Sequence, residues 1–187
     1  MIPFDCHTHT RLCRHAVSEP ADYVSAARRI GLNAIAFTDH CPLPDGYFAG
    51  VRMLINELPD YRQWVLTAQA NERLRADGIE ILYGIEMDIV PEQRRSPESN
   101  RILDTEPFDL VLASVHYQAK EYADWETQSG LTDPSSRIRA YFKLLADGAR
   151  SNLYDCLGHI DLIELPVGSF DPNGYKTEIM ELFDACA

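Results

Sequence analysis

Short, almost unbroken apolar runs alternate along this chain with longer stretches of helical periodicity. The runs are Ile2-Pro3-Phe4, Ala34-Ile35-Ala36-Phe37, Ile79 to Ile85, Leu110-Val111-Leu112-Ala113 and Tyr154 to Gly158. Runs this continuous predict strands buried on both faces, because a half-exposed strand would alternate apolar with polar residues. Between them, Ser18-Glu19-Pro20 predicts a helix start, Val24, Ala27 and Ile30 its apolar stripe, and Gly31 its stop. Leu54, Leu58, Tyr61, Val65 and Ala68 predict a helix reaching about Asp77, with a break or fresh start at Pro59. Asp133-Pro134 opens a helix with Ile138, Tyr141, Phe142, Leu145 and Ala149 on one face. A last helix puts Ile179, Leu182, Phe183 and Cys186 on one side. Cys41 to Val51 reads as a loop, Pro91 to Glu106 as a loop with a short helix, and the polar stretch before Asp133 as a loop. Strand and helix in alternation predict the α/β class, with a parallel sheet built from right-handed crossovers.

Each run ends at or near a metal-ligand type. The first leads into Asp5-Cys6-His7-Thr8-His9, with His15 just behind. Residues two apart on an extended chain share a face, so His7 and His9 can aim both imidazoles at one ion. Thr38-Asp39-His40 follows the second run, Glu86 ends the third, and His116 and His159 lie just past the fourth and fifth. By their numbering, His7, His40, Glu86, His116 and His159 lie 33, 46, 30 and 43 residues apart. Intervals of that length fit one βαβ unit each, which puts every ligand at the carboxyl end of its own strand. In a barrel those ends gather on one face. Singly, each residue has a plainer reading: a loop histidine, half of an ion pair, or ordinary surface for His15. All six histidines of the chain belong to the constellation, however, and none is left as background. The pattern points to a metal-dependent phosphoesterase.

Composition changes this picture little. With 187 residues, 45% hydrophobic and 25% charged, the chain suits one globular domain spanning 1–187. The net charge of −12 disfavours a general nucleic-acid surface and an anionic membrane. No run approaches the ~20 apolar residues that span a bilayer. The five cysteines are odd in number and dispersed, and without an export signal they predict reduced thiols in the cytoplasm. Cys6 and Cys13 lie near His7 and His15, yet structural zinc sites pair their cysteines at Cys-x2–4-Cys spacing, so buried or loop thiols are preferred. Cys41 beside His40 does not by adjacency make a catalytic pair. Arg11, Arg14 and Lys120 are candidates for touching phosphate, weighed against the plainer reading of exposed solvated cations.

His-Thr-His at His7 to His9, His15, Thr38-Asp39-His40, Gly84-Ile85-Glu86, Ser114-Val115-His116 and Gly158-His159-Ile160-Asp161 together resemble the polymerase and histidinol phosphatase (PHP) superfamily. Phe37-Thr38-Asp39-His40-Cys41-Pro42-Leu43-Pro44 and Ile81-Leu82-Tyr83-Gly84-Ile85-Glu86-Met87-Asp88 are similar to its histidinol-phosphatase branch. The resemblance implies a distorted TIM-like (β/α)7 barrel of the PHP type, with about five βα units in this chain. It also implies up to three divalent metals, Zn, Fe or Mn. His7, His9 and Glu86 would hold the first. Glu86 would bridge to a second completed by His116 and His159, and His15 and His40 would hold a third. Asp39 and Asp161 would orient neighbouring ligands.

Family members continue into further strands and a late Asp-x-His motif, so the expectation is a C-terminally incomplete domain, either a truncated copy or, the preferred reading, a fragment of a longer protein. The implied activity is hydrolysis of L-histidinol phosphate to L-histidinol and phosphate in histidine biosynthesis. Bound metals would supply an activated water, so the expectation is direct attack on phosphorus with no protein nucleophile. The alternatives are a nucleotide phosphatase or nuclease of the same superfamily, or a non-catalytic metal-binding scaffold. Oligomeric state is not legible.

Overall fold

The computed structural model describes residues 3–44, 48–93 and 95–187. Ile2, which opens the first apolar run, and residues 45–47 of the Cys41–Val51 loop lie outside it. The fold is α/β. Strands β1 (Phe4–Thr8), β2 (Ala34–Phe37), β3 (Glu80–Asp88), β4 (Leu110–Ser114) and β5 (Cys156–Leu157) form one sheet in the order β1-β2-β3-β4-β5. The β1–β2 and β2–β3 pairs are parallel. Helices α1 (Pro20–Ile30), α2 (Leu58–Arg73), α3 (Pro97–Thr105), α4 (Lys120–Gln128), α5 (Pro134–Arg150), α6 (Glu164–Val167) and α7 (Lys176–Cys186) fill the connections. Among the described residues, no helix is long and apolar enough to cross a membrane.

The chain divides into two compact units, Met1–Met87 with Ser96–Leu112, and Asp88–Arg95 with Ala113–Ala187. In the first, all four residues of β2 are buried, as its unbroken apolar run required. Pro20 sits in the first turn of α1, and Gly31 stops that helix at φ 81°, a left-handed conformation open to glycine without strain. Pro59 starts α2 after a single 3-10 turn, Ile55–Glu57. Leu58, Tyr61, Val65 and Ala68 are buried along α2. The Tyr61 hydroxyl lies 2.7 Å from both the Phe37 and the Gly84 carbonyls, so a helix side chain ties β2 to β3.

Gly84 lets the strands close. A Cβ there would stand 2.8 Å from the Leu110 carbonyl oxygen, 2.8 Å from Thr38 Cγ2 and 2.9 Å from the Phe37 carbonyl oxygen. Two of the three are backbone atoms that cannot swing away. Gly84→Ala is therefore expected to destabilise the protein by about 1–3 kcal/mol, the usual cost of overpacking. Urea unfolding measures it, and an unchanged midpoint would show that the strands tolerate the methyl.

The second unit has its own core. Ile138, Tyr141, Phe142 and Leu145 of α5 pack with Ile89, Ala113, Val115, Tyr122, Ile163 and Leu182. Several sequence expectations need correction. The polar stretch before Asp133 contains α4, whose one buried residue is Tyr122. Strand β5 is two residues long, not five. Strand β3 runs two residues past Glu86, to Asp88, and the Ile89 N–H just beyond it donates to the Ser114 carbonyl. Ile30 and Phe183, placed on buried stripes, are 71% and 51% exposed. Each stands at the far edge of its stripe, where the helix has turned toward solvent.

Candidate metal centre

In the first unit, backbone pairing sets the site. Thr38 N–H donates to the Thr8 carbonyl, Glu86 N–H to the Asp39 carbonyl, and Cys41 N–H to the Glu86 carbonyl, at 2.8–3.0 Å. These bonds hold the residue after β1, His40 and Glu86 in register. The Glu86 side chain is fully buried. Its Oε2 lies 3.3 Å from His7 Nε2, 3.3 Å from His9 Nε2 and 2.8 Å from His40 Nδ1. The four imidazoles crowd together, with ring centroids 5.0 Å apart for His7–His9, 4.7 Å for His9–His15, 4.6 Å for His9–His40 and 5.2 Å for His15–His40. His15, the histidine with the best claim to being ordinary surface, thus joins the cluster.

The electrostatics fit a cation. Burial, reinforced by His40, pushes the His9 pKa down from 6.5 to about 3, although Glu86 opposes the shift. His9 is therefore a neutral imidazole, the form that binds metals. Its Nδ1 is buried and has no hydrogen-bond partner among the described residues. Donor atoms of His9, His15 and His40 all lie within 4.8 Å of one another. Imidazoles around a buried carboxylate are a donor set for Zn, Fe or Mn.

Asp39 is anchored by Thr10. Its two oxygens accept from the Thr10 N–H and the Thr10 hydroxyl, both at 2.5 Å, and burial raises its pKa to about 6. Cys13 is fully buried beside it, and burial pushes its thiol pKa up, so it stays protonated. Cys41 is also buried, and its thiol donates to the Pro42 carbonyl.

In the second unit, His116 and His159 face each other with centroids 5.2 Å apart. His116 Nδ1 lies 2.7 Å from Asp88 Oδ1. A carboxylate acceptor fixes the proton on Nδ1 and presents Nε2 for coordination. The Tyr141 hydroxyl donates to the His159 carbonyl at 3.1 Å. Asp161 is exposed, and its carbonyl accepts from Glu164 N–H. Sequence reasoning passed over Asp88, although the alternation Glu86-Met87-Asp88 on a strand was a usable signal.

The candidate phosphate cations are engaged by carboxylates. Arg11 pairs with Glu19 and lies over the Trp64 ring at 4.6 Å. Arg14 makes a two-pronged contact to Glu57 at 2.6 and 2.8 Å, and Lys120 pairs with Asp124.

The family model described as PHP domain matches residues 5–187. A Deinococcus radiodurans protein named probable histidinol-phosphatase is 34% identical over 172 residues, which cover 90% of this chain and 64% of that protein. A histidinol-phosphatase of Lactococcus lactis subsp. lactis is 32% identical over 169 residues, covering 87% of this chain and 58% of the relative. The chain thus spans about three-fifths of the length of these two relatives. A crystal structure of histidinol phosphate phosphatase from Lactococcus lactis, complexed with zinc, L-histidinol and phosphate, superposes with a TM-score of 0.72 at 26% identity. It covers 100% of this chain and 70% of that one.

Proposed function

The chain belongs to the PHP-domain family, and from that premise we propose that it is a histidinol-phosphatase, hydrolysing L-histidinol phosphate to L-histidinol and phosphate in histidine biosynthesis. Its ligands are divalent metals, up to three, of the Zn, Fe or Mn type, held by His7, His9, His15, His40, Glu86, His116 and His159. The observation that carries the reading is the fully buried Glu86 carboxylate with three imidazole nitrogens within 3.3 Å. Bound cations would offset both the buried charge and the crowding of ligand groups about it in a protein of net charge −12. The 34% identity to a protein named for this activity supports the substrate.

When bound, the metals supply Lewis acidity and an activated water, so no serine or cysteine nucleophile is needed. The protein's own part is to hold the imidazoles in place. Asp88 orients His116, while Asp39 and Asp161 belong to the proposed surroundings of the ligands. The barrel of seven βα units, of which this chain carries about five in a single domain, is part of the same proposal. So is a cytoplasmic location, which the odd number and wide spacing of the five cysteines support.

The test is phosphate release from L-histidinol phosphate, nucleotides and short oligonucleotides by the metal-loaded protein. The expected result is a clear kcat/KM preference for histidinol phosphate. Preference for a nucleotide or an oligonucleotide would move the protein to another branch of the family, and metal binding without turnover of any of them would make it a scaffold.

A further inference from the structure

Cys13 is the chemically notable residue that the reading above leaves without a role. An ordinary core cysteine packs as a small apolar group. Cys13 instead lies among polar partners, and it touches both members of one ligand pair. Its sulfur accepts the His40 backbone N–H at 3.0 Å. Its carbonyl accepts the His15 N–H at 2.7 Å and stands 3.0 Å from His15 Nδ1. The carbonyl can only accept, so it favours a proton on Nδ1 and turns Nε2 outward as the coordinating atom.

Local structure makes this double contact rigid. Thr10 caps the 3-10 turn Arg11–Cys13, its hydroxyl accepting from Leu12 N–H. The same hydroxyl donates to Asp39, the residue before His40. Arg14 then takes a left-handed φ of 61°, which reverses the chain and brings His15 back over Cys13. Donor atoms of His9, Cys13 and Asp39 lie within 4.8 Å of one another, so the sulfur is embedded beside the ligands.

We infer that Cys13 is the positioning residue of the His15/His40 pair, its sulfur fixing the His40 backbone while its carbonyl fixes the His15 ring. The inference rests on the reading that these two histidines bind metal. A side-chain substitution removes the sulfur arm alone. Cys13→Ala removes the sulfur that accepts the part-buried His40 N–H, whereas the hydroxyl of Cys13→Ser can still accept, from a shorter reach.

The experiment titrates metal-free wild type, Cys13→Ala and Cys13→Ser with Co2+ and Zn2+ against a competing chelator, with thermal unfolding of each metal-free protein alongside. Loss of an outer partner of a ligand typically weakens metal binding about 10–100-fold. That loss is expected for one metal equivalent of Cys13→Ala, with the others unchanged and most of the loss recovered in Cys13→Ser. Unchanged affinity in Cys13→Ala would overturn the inference, as would equal weakening of every equivalent. A sulfur-to-cobalt charge-transfer band, present in wild type and absent from Cys13→Ser, would also overturn it by making Cys13 a ligand. A wild type that binds no metal would instead defeat the proposed function itself.

Discussion

Glu86→Gln is expected to abolish metal retention and to lower kcat by at least about 10³-fold, roughly 4 kcal/mol at 1.36 kcal/mol per tenfold. Glutamine has nearly the size of glutamate, so the substitution opens no cavity and spares the Asp39 and Cys41 backbone bonds that flank residue 86. What it removes is the negative charge. That charge is fully buried among the His7, His9 and His40 imidazoles, and taking a carboxylate out of water costs free energy. The signs of the two effects therefore differ. Metal content, measured by elemental analysis after gel filtration, should collapse. The metal-free variant should unfold at no lower temperature than metal-free wild type, because a neutral amide is less costly to bury than a carboxylate. A variant that keeps its metals would remove Glu86 from the centre. One that loses both metal and apo-protein stability would make Glu86 chiefly structural.

The elements legible in the sequence were those whose signal is carried by several residues at once. Strand β2 is buried on both faces, and its four apolar residues say so. Prolines at positions 20, 59 and 134 mark three helix starts, because an N–H missing from the first turn costs nothing. Helix α4 was invisible because only Tyr122 is buried along it, so no apolar stripe is written into Lys120–Gln128. The length of β5 was overstated for a related reason: Tyr154 is apolar and partly buried against the helix core without pairing as strand. Within the site, histidines and Glu86 stood out by residue type. The groups that orient them did not. Asp88 looks like any strand-end carboxylate until His116, 28 residues away, is placed on it. Cys13 acts through one sulfur contact 27 residues away and one carbonyl contact two residues away, and neither leaves a periodic trace.

His116→Ala and Asp88→Asn form a graded pair that tests the second unit. The alanine variant removes the imidazole, and with it a ligand, so turnover is expected to fall at least about 10³-fold, the scale of losing a principal electrostatic stabiliser. Asp88→Asn keeps an oxygen able to accept from His116 Nδ1, now at 2.7 Å from the carboxylate. It loses only the charge that raises the basicity of the ring and fixes its tautomer. Its cost should be about 10–100-fold in metal affinity, appearing at low metal concentration and recovered in part when metal is raised. Steady-state rates measured across a metal titration separate the two variants, because saturation helps the asparagine variant and not the alanine one. If Asp88→Asn proved as damaging as His116→Ala at every metal concentration, Asp88 would have to be a ligand itself. If neither mattered, the His116–His159 pair would stand outside the chemistry, leaving the first unit's imidazoles and Glu86 to carry it alone.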